Sequence, residues 1–211
     1  MNTVNKYPYF ELLEITPDFD IDYKVYQPLK PLNEGNIVPA FNLDTEYNKW
    51  KRYFNGAEVH GPVMVNQFLN KPLVIAFYSK EWQQFGLEQL FQLNSIQNEI
   101  KINGGNLLII TPDQEEDLNK IAWENNLSLN FYVDSENSLA EKFGVFSETD
   151  PTWNNFSGID NNVPLLATYV IDTQRQILYN FIEQKSVGTL KSKEVISAVY
   201  KSITNLNKKS A

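Results

Sequence analysis

Residues 71–86 read KPLVIAFYSKEWQQFG. They contain a change from a strand pattern to a helix pattern, and this change determines the predicted fold. The continuous apolar run at 73–78 is typical of a strand that is buried on both faces of a sheet. Apolar side chains then recur at helical spacing across residues 82–100, and the turn residues at 103–105 end that pattern. The stretch therefore predicts a central strand followed directly by a long helix that begins near Gln83.

The alternation of strands and helices continues towards the C-terminus. In chain order, we predict a strand at 106–111, a helix ending near 125–126, a strand at 131–133, a short helix at 137–143, paired strands at 167–171 and 176–181, and a last helix across 195–203. Alternating units give parallel strands with right-handed crossovers, and the last hairpin adds antiparallel strands. The expected architecture is α/β, with a central mixed sheet and helices on both faces.

The sequence also predicts positions for one aspartate and two tryptophan side chains. Asp113 stands directly before an acidic first turn, which predicts that it is the N-cap residue of the second helix. Trp123 is expected to face the core from the same helix, and Trp153, in a polar loop, to lie at an interface or at the rim of a pocket.

The length of 211 residues suits one domain with an extension. Residues 1–34 are acidic and aromatic, contain several prolines and are expected to form an N-terminal extension. Residues 35–207 are then a single domain. Glycines and a Gly-Pro pair punctuate residues 42–70, which are expected to form a hairpin-like insertion before the core.

Composition excludes several classes of chemistry. The chain has no cysteine, so it can form no disulfide, thiolate or iron–sulfur site, and His60 is its single histidine. We expect no metal site and no cofactor, and an exposed loop position for His60. The net charge of −8 argues against nucleic acid and anionic membranes as partners. Without a recognisable signal or membrane-spanning run, a cytoplasmic location is expected.

Several segments, taken in order, resemble the peroxiredoxin-like AhpC/TSA (redoxin) family. They are GNIVPAF at 35–41, KPLVIAFY at 71–78, ITPD at 110–113, VDSENSLAEKFG at 133–144 and VPLLATYVID at 163–172. Each segment is short, but their common order and spacing extend the resemblance over residues 35–205. The resemblance implies a thioredoxin-like fold of the peroxiredoxin type.

At the family's active-site positions the resemblance shows substitutions. One branch of the family has two cysteines at the positions of Gln83 and Gly86, whereas typical members have a threonine and the peroxidatic cysteine there. Leu166 stands where the family has a supporting arginine or a proline. Peroxide reduction requires a thiolate, so these degenerate positions provide no catalytic residue. Helix propensity alone predicts that Gly86 would accept a side chain.

The sequence therefore predicts a redox-inactive relative that acts as a binding or assembly module. Two alternatives stay open: an antioxidant oxidoreductase that uses an external thiol, and a structural subunit of a cysteine-bearing homologue. A homodimer is also expected. A small-ligand or protein site at the start of the long helix is a further alternative, because free N–H groups there attract anions. Its lining residues would be Trp82, Gln83, Gln84, Phe85 and Leu166.

Overall fold

A seven-stranded mixed sheet forms the centre of the computed structural model, which describes residues 28–183 and 190–209. The strands are β1 (Trp50–Phe54), β2 (Ala57–Glu58), β3 (Leu73–Phe77), β4 (Asn106–Thr111), β5 (Asn130–Val133), β6 (Ala167–Ile171) and β7 (Ile177–Ile182). The helices are α1 (Val65–Leu69), α2 (Gln83–Ile102), α3 (Glu115–Glu124), α4 (Ser138–Lys142) and α5 (Ser192–Lys209). No helix in these described ranges combines the length and apolar character needed to cross a membrane.

The order of the strands across the sheet is β2-β1-β5-β4-β3-β6-β7. Strands β3, β4 and β5 run parallel, with α2 and α3 as their crossovers, whereas β6 and β7 are antiparallel to their neighbours. All residues of β3 are buried, as its continuous apolar run requires, and all residues of β6 are buried as well. The predicted order of strands and helices from residue 73 onward is confirmed.

Neighbouring side chains on β6 show that helices cover both faces of the sheet. The Thr168 hydroxyl accepts a hydrogen bond from Gln89 of α2. The ring of the next residue, Tyr169, lies 5.1 Å from that of Phe143, which directly follows α4. Because consecutive strand residues point to opposite faces, α2 and α4 lie on opposite sides of the sheet. Helix α5 packs beside α2.

Residues 42–70 contain the β1–β2 hairpin, turned at Asn55 and Gly56, and then α1. The hairpin is continuous with the main sheet, because β1 pairs with β5. Trp50 fixes this edge: its ring lies 5.2 Å from those of both Phe68 and Tyr132. Sequence periodicity did not predict α1, a five-residue helix that contains no fully buried residue.

Two expectations for α3 were wrong. The N-cap residue is Gln114, and the Asp113 side chain is directed instead towards the residues that follow β3. Trp123 is 71% exposed, since α3 buries Leu118 and Ala122, which lie one turn apart on one face. Ile121 also packs partly buried against the core, whereas Trp123 and Glu124, at the end of the helix, are exposed.

The segment 28–34 lies against the domain. The Leu32 N–H donates to the Phe143 carbonyl at 3.0 Å, and the Leu29 N–H donates to the Asp150 carboxylate at 3.0 Å. Gly144 makes this approach possible: it has a φ of +69°, and a Cβ there would lie 2.1 Å from the Lys30 carbonyl oxygen. The rest of the predicted extension, residues 1–27, lies outside the described residues, and the predicted division into extension and domain stays a prediction.

We expect Gly144→Ala to lower the free energy of unfolding by roughly 3 kcal/mol, measured by urea denaturation. The left-handed backbone alone accounts for about 1–2 kcal/mol, and displacement of the Lys30 backbone accounts for the rest. Gly158→Ala is the matched control, because Gly158 has a φ of +86° but open space around the added atom. Equal losses in the two variants would show that segment 28–34 contributes nothing to stability.

Candidate functional site

The candidate site lies where the chain passes from β3 into α2. Ser79 follows the strand, and its Oγ accepts a hydrogen bond from the Glu81 N–H, which begins a single 3-10 turn at Lys80–Trp82. Helix α2 then starts at Gln83, at the carboxyl edge of the parallel strands. The predicted position of Gln83 at the start of the long helix is therefore confirmed.

Gln83 has an unusual backbone for a residue with a side chain, with φ 48° and ψ −125°. Such conformations are costly and persist where surrounding contacts enforce them. Two hydrogen bonds hold this one: the Gln83 N–H donates to the Lys80 carbonyl, and its side-chain amide donates to the Gly158 carbonyl at 3.1 Å. Gln83 thus joins the start of α2 to the loop 147–163.

Gly86, on the first turn of α2, is buried against two aromatic side chains. A Cβ at this position would lie 2.9 Å from Cε2 of Tyr78 and 3.0 Å from Cβ of Trp82. The expectation that Gly86 would accept a side chain rested on helix propensity and was wrong, since it took no account of these neighbours. In this structure the space beside the first turn of α2 is filled by Tyr78 and Trp82.

Trp82 and Leu166 form part of the packed interior. The Trp82 indole donates to the Pro164 carbonyl at 2.8 Å, and its ring lies 4.9 Å from that of Phe156. Leu166 is buried, and its carbonyl accepts a hydrogen bond from the Glu183 N–H. Neither side chain is open to solvent, since Trp82 is 4% and Leu166 3% exposed.

The other residues of the predicted ligand site lie on the surface. Gln83, Gln84 and Phe85 are exposed at the start of α2, and the Gln84 amide donates to Glu88 on the same helix. The structure therefore divides the five predicted lining residues into an exposed group and a buried pair. Their role in binding stays a prediction.

Asp113 is the residue of this region to which sequence analysis assigned a different role. Its carboxylate accepts hydrogen bonds from the Ser79 hydroxyl at 3.0 Å and from the Lys80 N–H at 2.7 Å. Burial raises the pKa of this carboxyl, and the hydrogen bonds it accepts oppose that shift without cancelling it. Burial likewise raises the pKa of Tyr78, and the nearby charge of Asp113 adds to that shift.

One signal could have located Asp113. Ser79 and Asp113 follow the carboxyl ends of two neighbouring parallel strands, β3 and β4, so the topology brings them to one edge. The arrangement positions the β3–α2 connection, because a buried carboxylate holds both a hydroxyl and a backbone N–H of that connection. Both donors are internal to the fold, so this geometry explains a structural role for Asp113.

The remaining candidates lie apart from this edge. His60 is exposed, as expected, and its Nδ1 lies 2.6 Å from the Tyr47 hydroxyl. Trp153 is half-exposed in the loop 147–163. The described residues hold no cluster of three or more histidine, cysteine, aspartate or glutamate side chains that could hold a metal ion.

The tight contact at Gly86 predicts that a larger side chain at this position lowers the stability of the protein. Helix propensity favours alanine over glycine by about 1 kcal/mol, but overpacking costs more, so Gly86→Ala should destabilise the protein by roughly 1–3 kcal/mol. In a Tyr78→Leu background, which lacks the Cε2 atom, the same change should cost less. Urea denaturation of the four proteins measures this coupling. An increase in stability on replacing Gly86 in the wild type would contradict the described packing.

The buried carboxyl of Asp113 should make the stability of the protein depend on pH. Because the folded pKa lies above the ordinary value of 3.8, its contribution to stability is largest below pH 3.8 and is lost as pH rises through the folded value. Asp113→Asn does not titrate, so the wild type should lose stability relative to this variant as pH rises between about 4 and 7. Urea denaturation across this range gives the difference, with Glu116→Gln as the control for net charge. A difference that changes in the opposite direction would show that the hydrogen bonds outweigh burial.

Comparison with known proteins places these features in a family. The chain is 27% identical over 131 residues to the putative peroxiredoxin bcp of Haemophilus influenzae, a match covering 62% of this chain and 77% of that protein. It is 24% identical over 158 residues to peroxiredoxin Bcp of Escherichia coli, covering 75% of this chain and 90% of that one.

Solved structures agree on the fold. The reduced 2-Cys peroxiredoxin of Plasmodium vivax superposes with a TM-score of 0.57 at 16% identity, covering 84% of this chain and 85% of that one. Enterococcus faecalis AhpC gives 0.56 at 12% identity, with coverages of 88% and 98%. The predicted thioredoxin-like fold of the peroxiredoxin type is confirmed. Residues 35–180 match the AhpC/TSA family model, and the chain is a cysteine-less member of the AhpC/TSA family.

Proposed function

We propose that this protein is a redox-inactive member of its family and acts as a binding or assembly module. The observation that carries the proposal is the complete absence of cysteine from the chain. Thiol peroxidases transfer an oxygen atom from the peroxide to a thiolate sulfur, which becomes a sulfenic acid while water or an alcohol leaves. This chain has no sulfur atom that can follow that route.

The surroundings of the former thiol position support the same proposal. Tyr78 and Trp82 occupy the space beside Gly86. The hydrogen bond from Gln83 to Gly158 and the ring contact of Trp82 with Phe156 hold the loop 147–163 against the start of α2. Leu166, buried and apolar, stands where the resemblance implies either an arginine that stabilises the thiolate or a proline. A thiol borrowed from another molecule would have to approach a site whose interior is already packed.

The two methionines are the sites where peroxide would act on the chain. The Met64 side chain is 62% exposed, and a thioether takes up one oxygen atom to give a sulfoxide. That reaction consumes one equivalent of peroxide and stops, because the chain has no thiol with which to reduce the sulfoxide. The amount of peroxide consumed per protein molecule therefore distinguishes stoichiometric oxidation from catalytic turnover.

We predict that the purified protein consumes hydrogen peroxide no faster than a protein-free blank containing the same small thiol or thioredoxin system. Intact-mass spectrometry after peroxide treatment should show at most the oxidation of Met1 and Met64. Met64→Leu removes the exposed thioether and should lower the peroxide uptake without changing the absence of turnover. Sustained consumption above the blank would overturn the proposal in favour of the oxidoreductase alternative, with an external thiol as the reductant.

The structural-subunit alternative is tested by association. Mixing the protein with a cysteine-bearing homologue and measuring mass by light scattering distinguishes a mixed assembly from separate species. Light scattering of the protein alone tests the predicted homodimer, which would have twice the mass of one chain. The cytoplasmic location stays a prediction that fractionation would test.

A further inference from the structure

A second region with the character of a binding site lies at the other edge of the sheet. A cleft of about 910 Å³ opens where the first residues of β4 and β5 meet the end of α2 and the segment 59–68. Asn106 and Asn130, the first residues of those parallel strands, line it. Gln83 and Ser79 follow the carboxyl end of β3, so the cleft is at the opposite edge from the candidate site.

The charge of this cleft is opposite to that of the protein. Its charged lining residues are Arg52 and Lys101, and no acidic side chain lines it, although the chain as a whole has a net charge of −8. In the described part of the chain neither cation forms an ion pair, whereas Lys51 and Lys80 do. Two unpaired cations facing one cleft attract an anion.

Both cations keep hydrogen-bond donors available. The Arg52 guanidinium, with its five N–H donors, gives one hydrogen bond to the Pro62 carbonyl at 3.4 Å. The Lys101 ammonium gives one to Oε1 of Gln97, one turn earlier on α2, at 3.2 Å. Asn130 is the register partner of Arg52 on the neighbouring strand, so its amide lies on the same face beside the guanidinium.

The walls of the cleft are held together by hydrogen bonds within the fold. The Asn106 side chain donates to the Gln67 carbonyl at 2.6 Å, which ties α1 to the start of β4. The bond from Arg52 to Pro62 ties β1 to the connection before α1. A site formed before the ligand arrives loses less conformational entropy on binding.

The cleft also has an apolar surface. Phe54, Val59 and Met64 line it, and they are 65%, 43% and 62% exposed. Covering large apolar side chains that have this much surface in solvent with an apolar group lowers the free energy. The cleft therefore offers an anion-binding part and an apolar part side by side.

We propose that this cleft binds a small amphipathic organic anion. A carboxylate or phosphate head group pairs with Arg52 and Lys101 and accepts hydrogen bonds from the neighbouring amides, while the apolar body lies on Phe54, Val59 and Met64. The two head groups share the chemistry of an anion with several acceptor oxygens, which suits a guanidinium. This site is separate from the start of α2, so the peroxide assay and the binding of this anion test different proposals.

The test uses the full chain and four probes. Octanoate and octyl phosphate carry both parts of the expected ligand, 1-octanol carries only the apolar body, and inorganic phosphate carries only the charge. Because Met1 and Met64 are the chain's two methionines, a carbon-13 methyl label reports directly on the cleft. At least one octyl anion should shift the Met64 methyl resonance saturably and bind at least tenfold more tightly than octanol or phosphate. The octyl anion that binds more tightly identifies the head group.

Variants decide whether the two cations carry the binding. Arg52→Gln with Lys101→Gln should weaken the octyl anion about tenfold or more, as expected on losing two charge-assisted hydrogen bonds. Arg175→Gln with Lys120→Gln removes the same charge from exposed positions that do not line the cleft and should leave the affinity unchanged. Equal weakening by both pairs, equal binding of octanol, or no saturable shift with either octyl anion would overturn the proposal.

Discussion

The burial of β3 is the constraint on which the rest of the structure depends. This strand lies between β4 and β6, and all five of its residues are buried, so both of its edges must be hydrogen-bonded by other strands. One neighbour is parallel and requires the α2 crossover, and the other is antiparallel and arrives much later in the chain. The position of α2, and with it the candidate site, follows from this arrangement.

The elements that could be predicted are those in which one pattern determines the outcome. Continuous apolar runs predicted β3 and β4, because a central strand is buried on both faces of the sheet, and two short runs on either side of a turn predicted the antiparallel pair β6 and β7. Asp113 could not be placed in the same way. An aspartate before an acidic first turn has the pattern of an N-cap, and only the alignment of β3 with β4 shows that Ser79 and Lys80 are better donors for its carboxylate.

The predictions that failed at single positions have a common physical origin, which is competition between a local preference and the packing of other side chains. Trp123 has the size of a core residue, yet its place on α3 is set by the burial of Leu118 and Ala122. Gly86 lies in a helix, where local preference disfavours glycine, but Tyr78 leaves no room for a larger residue. The candidate site shows the same limit: its degenerate positions could be identified from the resemblance, whereas the contacts that now fill it involve Phe156 and Pro164, far along the chain.

The separation in sequence between β3 and β6 has a consequence for synthesis on the ribosome. Residues 73–77 emerge early and can pair with β4 soon afterwards, but their second edge waits until residues 167–171 have been made. During that interval an apolar strand has one unpaired edge, which favours association with other nascent chains. Helix α2 is complete before then and can cover one face of the strand. The late closure of the sheet also raises the contact order, so the final step of folding is expected to be slow compared with helix formation.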